Sequence, residues 1–296
     1  FGVAENAAYG AFRVLGESCC PTTVDACWLC ADPVHLRLHQ ERLILADGGS
    51  LGIELAEAHA IVGELNRHFA DVGTFHATAA DRWYLQLAAG TDLGCFDVLP
   101  LSAVAGRSVG RQLPETPEAR WLRQLLNEAQ MVLHQHPANE RREDEGRSTI
   151  NSLWLWGGGT QPAAQPATYS SVWSDNPLAA GLAAMSATPL HPRPASLNEI
   201  LGTAGASPLV VLEQLLPDIL YENSENWRDD FSALENDWFS PLKNALGKRV
   251  NRITLIAPTI YGELHYALTS NDRWKFWKKA QALPAIAQRL AEQGTR

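Results

Sequence analysis

The chain has 296 residues, 46% of them hydrophobic, enough to bury a sizeable core in one or two domains. A formal net charge of −9 argues against nucleic acid as a partner, because binding a phosphate backbone needs a basic surface. No apolar run approaches the roughly 18–20 residues that span a bilayer, so a soluble cytoplasmic protein with no membrane partner is expected.

In chain order, Cys27-Trp28-Leu29-Cys30 is the first informative stretch, with the two-residue spacing of redox and zinc motifs. A structural zinc needs four ligands, and Cys19-Cys20 is adjacent, not spaced; His35 and His39 are the candidate fillers. Reduced, partly buried thiols, with Cys95 among them, are the favoured reading. Leu43–Ala46 reads as a short strand closed by Asp47-Gly48-Gly49-Ser50, and Ile53–Phe69 as a helix with its apolar residues near helical spacing. Trp83–Leu87 reads as a strand.

Thr116-Pro117-Glu118 has the marks of a helix start: a capping hydroxyl, proline at the first helical position and an acid near the positive end of the dipole. Trp121, Leu122, Leu125, Leu126, Ala129, Val132 and Leu133 supply its apolar face. Proline disfavours helical geometry in the residue before it, so this helix should stop at His136-Pro137. His136, Asn139 and Arg142 are then expected on the following loop, where binding groups are often displayed. The mixed charge run Glu140–Arg147 is read either as a solvated loop or as a ligand contact through Arg142.

Asn151–Gly159 reads Asn-Ser-Leu-Trp-Leu-Trp-Gly-Gly-Gly, a buried strand that ends in glycines able to take positive φ or admit a close neighbour. Gln161–Ser174 and Ala187–Ser196 are expected to be irregular, and Leu209–Leu216, Trp227–Leu246 and Trp274–Leu290 helical. Arg252–Ile256 has the continuous apolar character of a strand covered on both faces in a parallel sheet. Lys275, Lys278 and Lys279 beside Trp274 and Trp277 read as a solvated helix face. Alternating helices and short apolar strands favour the α/β class. No phosphate-binding P-loop, zinc helix or Gly-x-Ser-x-Gly elbow is present in the sequence.

His136-Pro137-Ala138-Asn139, Arg142, Gly146-Arg147 and Asn151-Ser152-Leu153-Trp154-Leu155-Trp156-Gly157-Gly158-Gly159 together resemble the central motif of the archaeal-type, cofactor-independent phosphoglycerate mutases. These are members of the alkaline-phosphatase-like superfamily. Asp81-Arg82-Trp83-Tyr84 resembles a further Tyr-Arg-His element, and Leu234-Glu235-Asn236-Asp237 the helix ahead of the last core strand. The resemblance implies an alkaline-phosphatase-like core with a central, mostly parallel sheet and an inserted smaller α/β subdomain. Residues 1–34 and 148–296 would form the core and 35–147 the insert.

Such relatives move a phosphoryl group with two metal ions and a serine nucleophile, which requires several Asp and His ligands. At the matching places this chain has Tyr221-Glu222-Asn223, Trp227-Arg228-Asp229-Asp230 and Ile256-Ala257-Pro258-Thr259-Ile260. Apolar side chains there cannot coordinate a hard cation. An Asp-Arg-Arg element becomes Asp47-Gly48-Gly49, without the two phosphate-gripping guanidinium groups. By resemblance, an Asp-Gly metal motif and the serine would lie ahead of Phe1.

The expectation is a mutase-like protein without its metal centre, taking no cofactor and holding a small anionic ligand or regulating. The ligand residues implied by the resemblance are Arg82, His136, Asn139, Arg142, Asn151, Trp154, Trp156 and Gly157. Two alternatives remain open: an active phosphoglycerate mutase or phosphatase using two divalent cations, manganese or zinc, completed by upstream residues; and a protein-interaction module.

Overall fold

The computed structural model describes residues 7–18, 25–40, 42–91, 98–109, 120–161, 163, 166–202, 205–221, 223–259, 262–274 and 281–294. The first elements are α1 (Tyr9–Glu17), β1 (Cys27–His39), β2 (Arg42–Asp47), α2 (Gly48–Leu51), α3 (Leu55–His68), β3 (Gly73–Ala77) and β4 (Trp83–Leu87). Then come α4 (Leu101–Val104), α5 (Arg120–His134), α6 (Pro137–Asp144), β5 (Ser152–Thr160), β6 (Ser171–Trp173), α7 (Pro177–Met185) and β7 (Leu190–His191). The remainder is α8 (Leu197–Ile200), β8 (Pro208–Val210), α9 (Leu215–Leu220), α10 (Ser224–Leu234), α11 (Ser240–Ala245), β9 (Arg252–Thr259), β10 (Gly262–Thr269) and α12 (Leu283–Gly294). A π-helical turn, Glu235–Phe239, joins α10 to α11. None of the described helices is long and apolar enough to cross a membrane.

Two compact units divide the chain: Phe1–Arg193 with Ala204–Ser224, and Pro194–Thr203 with Glu225–Arg296. The first unit is built on a five-stranded sheet of order β2-β1-β4-β3, with β5 added along β1. Side chains alternate faces along a strand. α1 therefore lies over Cys30, Asp32, Tyr84 and Trp156 on one face, while α3 packs on the other against Phe75. Trp28, Leu29, Cys30, Ala31 and Val34 of β1 are all buried, so this strand is covered on both sides.

The sheet corrects the expected architecture. The class is α/β, but every pairing in the larger sheet is antiparallel. Among the described strands, parallel pairing is confined to a small three-stranded sheet of order β7-β6-β8 in the same unit. Continuous apolar character reports burial of both faces, and helices can bury both faces of an antiparallel sheet as well. β9 is a strand as expected, yet it pairs antiparallel with β10 in a two-stranded hairpin of the second unit. Leu255 and Ile256 on it are exposed.

β2, α3, β4 and α5 fall where the periodicity places them; the Thr116–Glu118 start, Cys19, Cys20, Cys95 and the Lys275–Lys279 patch lie outside the described residues. Three local expectations fail. Residues after His136 form α6, not a loop: Pro137 ends one helix but also stands at the first position of the next, with His136 as its N-cap. Leu209 and Val210 belong to strand β8, and helix α9 begins only at Leu215. The irregular stretches hold the short strands β6 and β7.

α1 and α7 approach unusually closely. A Cβ placed on Gly16 would lie 1.9 Å from the Pro177 carbonyl oxygen, and one on Gly181 1.8 Å from that of Phe12. Only glycine lets these backbones meet.

Candidate functional site

The motif block 136–159 becomes a network of internal bonds. His136 Nδ1 accepts from the Ala138 amide at 3.1 Å, which caps α6. Burial pushes the His136 imidazole below the ordinary histidine range. Asn139 Nδ2 donates to the Leu133 and Ile150 carbonyls, each at 2.8 Å, and its Oδ1 accepts from the Ile150 amide at 2.8 Å. One amide thus ties the end of α5 to the approach of β5.

Arg142 is completely buried. Its Nε donates to the Ser148 carbonyl at 2.8 Å, Nη1 to Glu57 Oε2 at 3.0 Å and Nη2 to the Leu51 carbonyl. Glu57 in turn closes the capping box of α3, accepting from the Glu54 amide at 2.9 Å. Arg147 adds a bond to the Gly52 carbonyl. Arg142 and Arg147 therefore both fasten the α2–α3 turn.

Asn151 stands just outside β5 and acts as an extra rung, its Oδ1 accepting from the Leu36 amide at 2.7 Å and its Nδ2 donating to the Leu36 carbonyl at 2.8 Å. Trp154 Nε1 donates to the Leu99 carbonyl at 2.9 Å, and Trp156 Nε1 to Asp32 Oδ2 at 2.8 Å. Trp28 faces Gly159 while Cys30 faces Trp156, so Gly157 and Gly158 stand opposite the single residue Leu29. This is a β-bulge, and Gly157 takes the left-handed φ of +63° that such bulges ask of glycine. A Cβ at Gly157 would also lie 2.7 Å from Tyr9 Cβ, so the glycine admits the start of α1.

The structure thus gathers the buried His136, Asn139 and Arg142 and the half-buried Asn151 into one internal framework, with Trp154, Trp156 and Gly157 on the neighbouring strand. Arg82 stands apart. Its Nε donates to Glu17 Oε1 at 2.7 Å and Nη2 to Glu17 Oε2 at 3.5 Å, and Tyr84 Oη donates to Glu17 Oε1 at 3.0 Å. Burial opposes ionisation of Glu17, yet Arg82, Tyr84 and Thr78 together hold its carboxyl below the usual range. Beside them Arg13 is held between the rings of Tyr84 and Trp156, at 5.3 and 5.4 Å from their centres, and donates to Asp32 at 3.0 Å.

Arg13, Glu17, Asp32 and Tyr84 escape sequence reasoning. An Arg and a Glu four apart on a helix read as a solvated pair, and the one available signal was an acid inside the apolar run Leu29–Val34.

The Cys27–Cys30 spacing does not bring the two thiols together. Cys27 and Cys30 lie three apart on one extended strand, so their side chains point to opposite faces. Both thiols are free; burial pushes Cys30 up to about 12 and Cys27 also upward. His35 Nδ1 lies 2.8 Å from the Thr149 carbonyl.

Tyr221 donates its hydroxyl to Asp47, burial and that carboxylate pushing its ionisation upward, and Asp47 caps α2 through the Ser50 amide. A Cβ on Gly48 would lie 2.9 Å from Asp81 Cβ, so the position has no room for the arginine that the family pattern carries. Among the described residues no three His, Cys, Asp or Glu side chains converge so as to hold a metal ion.

Open parallel sheets usually present ligands at the carboxyl ends of their strands. Here Asn176, which follows β6, caps α7 by accepting from the Leu178 and Ala179 amides and donates to Glu213 at 2.7 Å. Arg193 after β7 pairs with Asp175 at 3.6 Å. These groups are joined to one another.

No protein-family model matches the chain. It is 33% identical over 127 residues to 2,3-bisphosphoglycerate-independent phosphoglycerate mutase 2 of Methanothermobacter thermautotrophicus, covering 43% of this chain and 31% of the relative. To the 2,3-bisphosphoglycerate-independent phosphoglycerate mutase of Methanosarcina mazei it is 31% identical over 77 residues, covering 26% and 19%. The solved cofactor-independent phosphoglycerate mutase of Thermoplasma acidophilum aligns over 83% of this chain and 68% of its own, at a TM-score of 0.41 and 17% identity. The chain spans about a third or less of the length of the curated relatives it matches. Over that part of its sequence the chain is a relative of the cofactor-independent phosphoglycerate mutases.

Proposed function

We propose that this chain uses a mutase-derived, alkaline-phosphatase-like scaffold without catalysis, holding a small anionic ligand in a regulatory role in the cytoplasm. The supporting observation is where its polar groups point. Asn139, Arg142 and Asn151 are closed on the protein's own backbone and on Glu57, whereas Arg82 and Tyr84 grip a carboxylate near the surface. A planar guanidinium donating paired hydrogen bonds is the chemistry that selects carboxylate or phosphate. Among the described residues no three His, Cys, Asp or Glu side chains gather as a two-metal phosphoryl transfer would require.

Calorimetric titration of 3-phosphoglycerate into the wild type and Arg82→Ala tests the reading. Heat with the wild type, lost in Arg82→Ala but kept in Lys243→Ala, is expected. Silence from the wild type throughout would remove the ligand.

A further inference from the structure

We infer that the β3–β4 hairpin carries a compact oxyanion site, formed by Arg82 and Tyr84 with Thr78 at its rim, and that the Glu17 carboxylate of α1 is its resident internal occupant. The inference rests on the reading of Arg82 as an anion holder and adds the regulation of that site.

The site is complete without its occupant. Both donor side chains, Arg82 and Tyr84, come from one hairpin and its loop, while the carboxylate arrives from a helix 65 residues earlier in the chain. The loop is internally braced: the Thr78 and Ala79 amides both donate to the Arg82 carbonyl, at 3.1 and 3.4 Å, and Trp83 Nε1 donates to the Ala80 carbonyl at 3.0 Å. Donors held this way lose little freedom on meeting an anion. Burial keeps the Tyr84 phenol protonated and able to donate.

The occupant is not where its own helix would place a negative charge. Glu17 is the last residue of α1, at the negative end of the helix dipole, and Ser18 after it turns left-handed at φ 55°. The grip, not the helix, holds the carboxylate. The Arg82 side chain is 36% exposed and that of Glu17 10%, so solvent reaches the guanidinium beside a nearly covered carboxylate. A free carboxylate or phosphate monoester would compete with Glu17 for the same donors, and its binding would release the end of α1.

Anion rescue tests this. Melting temperatures of wild type, Glu17→Ala and Glu17→Ala/Arg82→Ala are measured in rising acetate and, separately, inorganic phosphate, with chloride at equal ionic strength as control. Glu17→Ala should melt lower than wild type and gain several degrees more from the anion than wild type does, the gain vanishing with Arg82→Ala. A larger gain from acetate marks a carboxylate site, and from phosphate a phosphate site. Glu17→Gln, which keeps the side-chain volume, carries the same comparison if truncation prevents folding. Shifts no larger than wild type in both variants overturn the inference. Rescue without any phosphoglycerate heat would keep the oxyanion site and remove only that ligand.

Discussion

Arg142 and Glu57 meet at 3.0 Å, the guanidinium wholly buried and the carboxylate nearly so, across 85 residues of sequence. A buried charge that loses its partner is costly, on the order of 3–5 kcal/mol. Arg142→Ala should therefore lower unfolding free energy by about that amount in urea titrations. It would strip the Ser148 and Leu51 carbonyls of a donor as well. Weakened phosphoglycerate binding with stability unchanged would place Arg142 at a ligand instead.

The α1–α7 contact gives a second, opposed pair of outcomes. Gly181→Ala forces a methyl into the Phe12 carbonyl and should cost about 1–3 kcal/mol or more. Gly63→Ala, inside α3 with nothing near its Cβ, should instead gain roughly 0.5–1 kcal/mol from helix propensity alone. Equal effects at the two sites in thermal melts would contradict the close approach.

His136 makes a pH prediction. Burial lowers its folded pKa below the ordinary 6.5, so the unfolded chain takes up the proton first as pH falls. The stability it contributes is fully present above about pH 6.5 and is lost as pH drops towards the folded value. Protonation also removes the Nδ1 acceptor that caps α6. His136→Asn keeps a capping acceptor without titrating, so it should match wild type at pH 7.5 and lose less stability by pH 5.5. His76, also shifted down by burial, retains its share of the slope. An unchanged slope in His136→Asn would show that the cap does not titrate.

How far the sequence reached depends on distance along the chain. Helix α3 and strand β4 were legible because periodicity is local. The sheet's direction was not, because apolar continuity reports coverage and not pairing. Arg142 stood out in the sequence, but nothing near it says whether an arginine in a charge run points to solvent or inward to a glutamate 85 residues away. Gly157 was marked for positive φ, and the bulge it serves needs the partner strand β1 to be seen. Glu17 meets Arg82 only once the β3–β4 hairpin has folded back, which no spacing rule encodes.

One assay decides whether a mutase scaffold stands here without phosphoryl transfer. The intact protein is supplied with manganese or zinc and 3-phosphoglycerate, and 2-phosphoglycerate is followed alongside bound metal by elemental analysis. No turnover and substoichiometric metal are predicted. Turnover accompanied by stoichiometric metal would show instead a working metal centre.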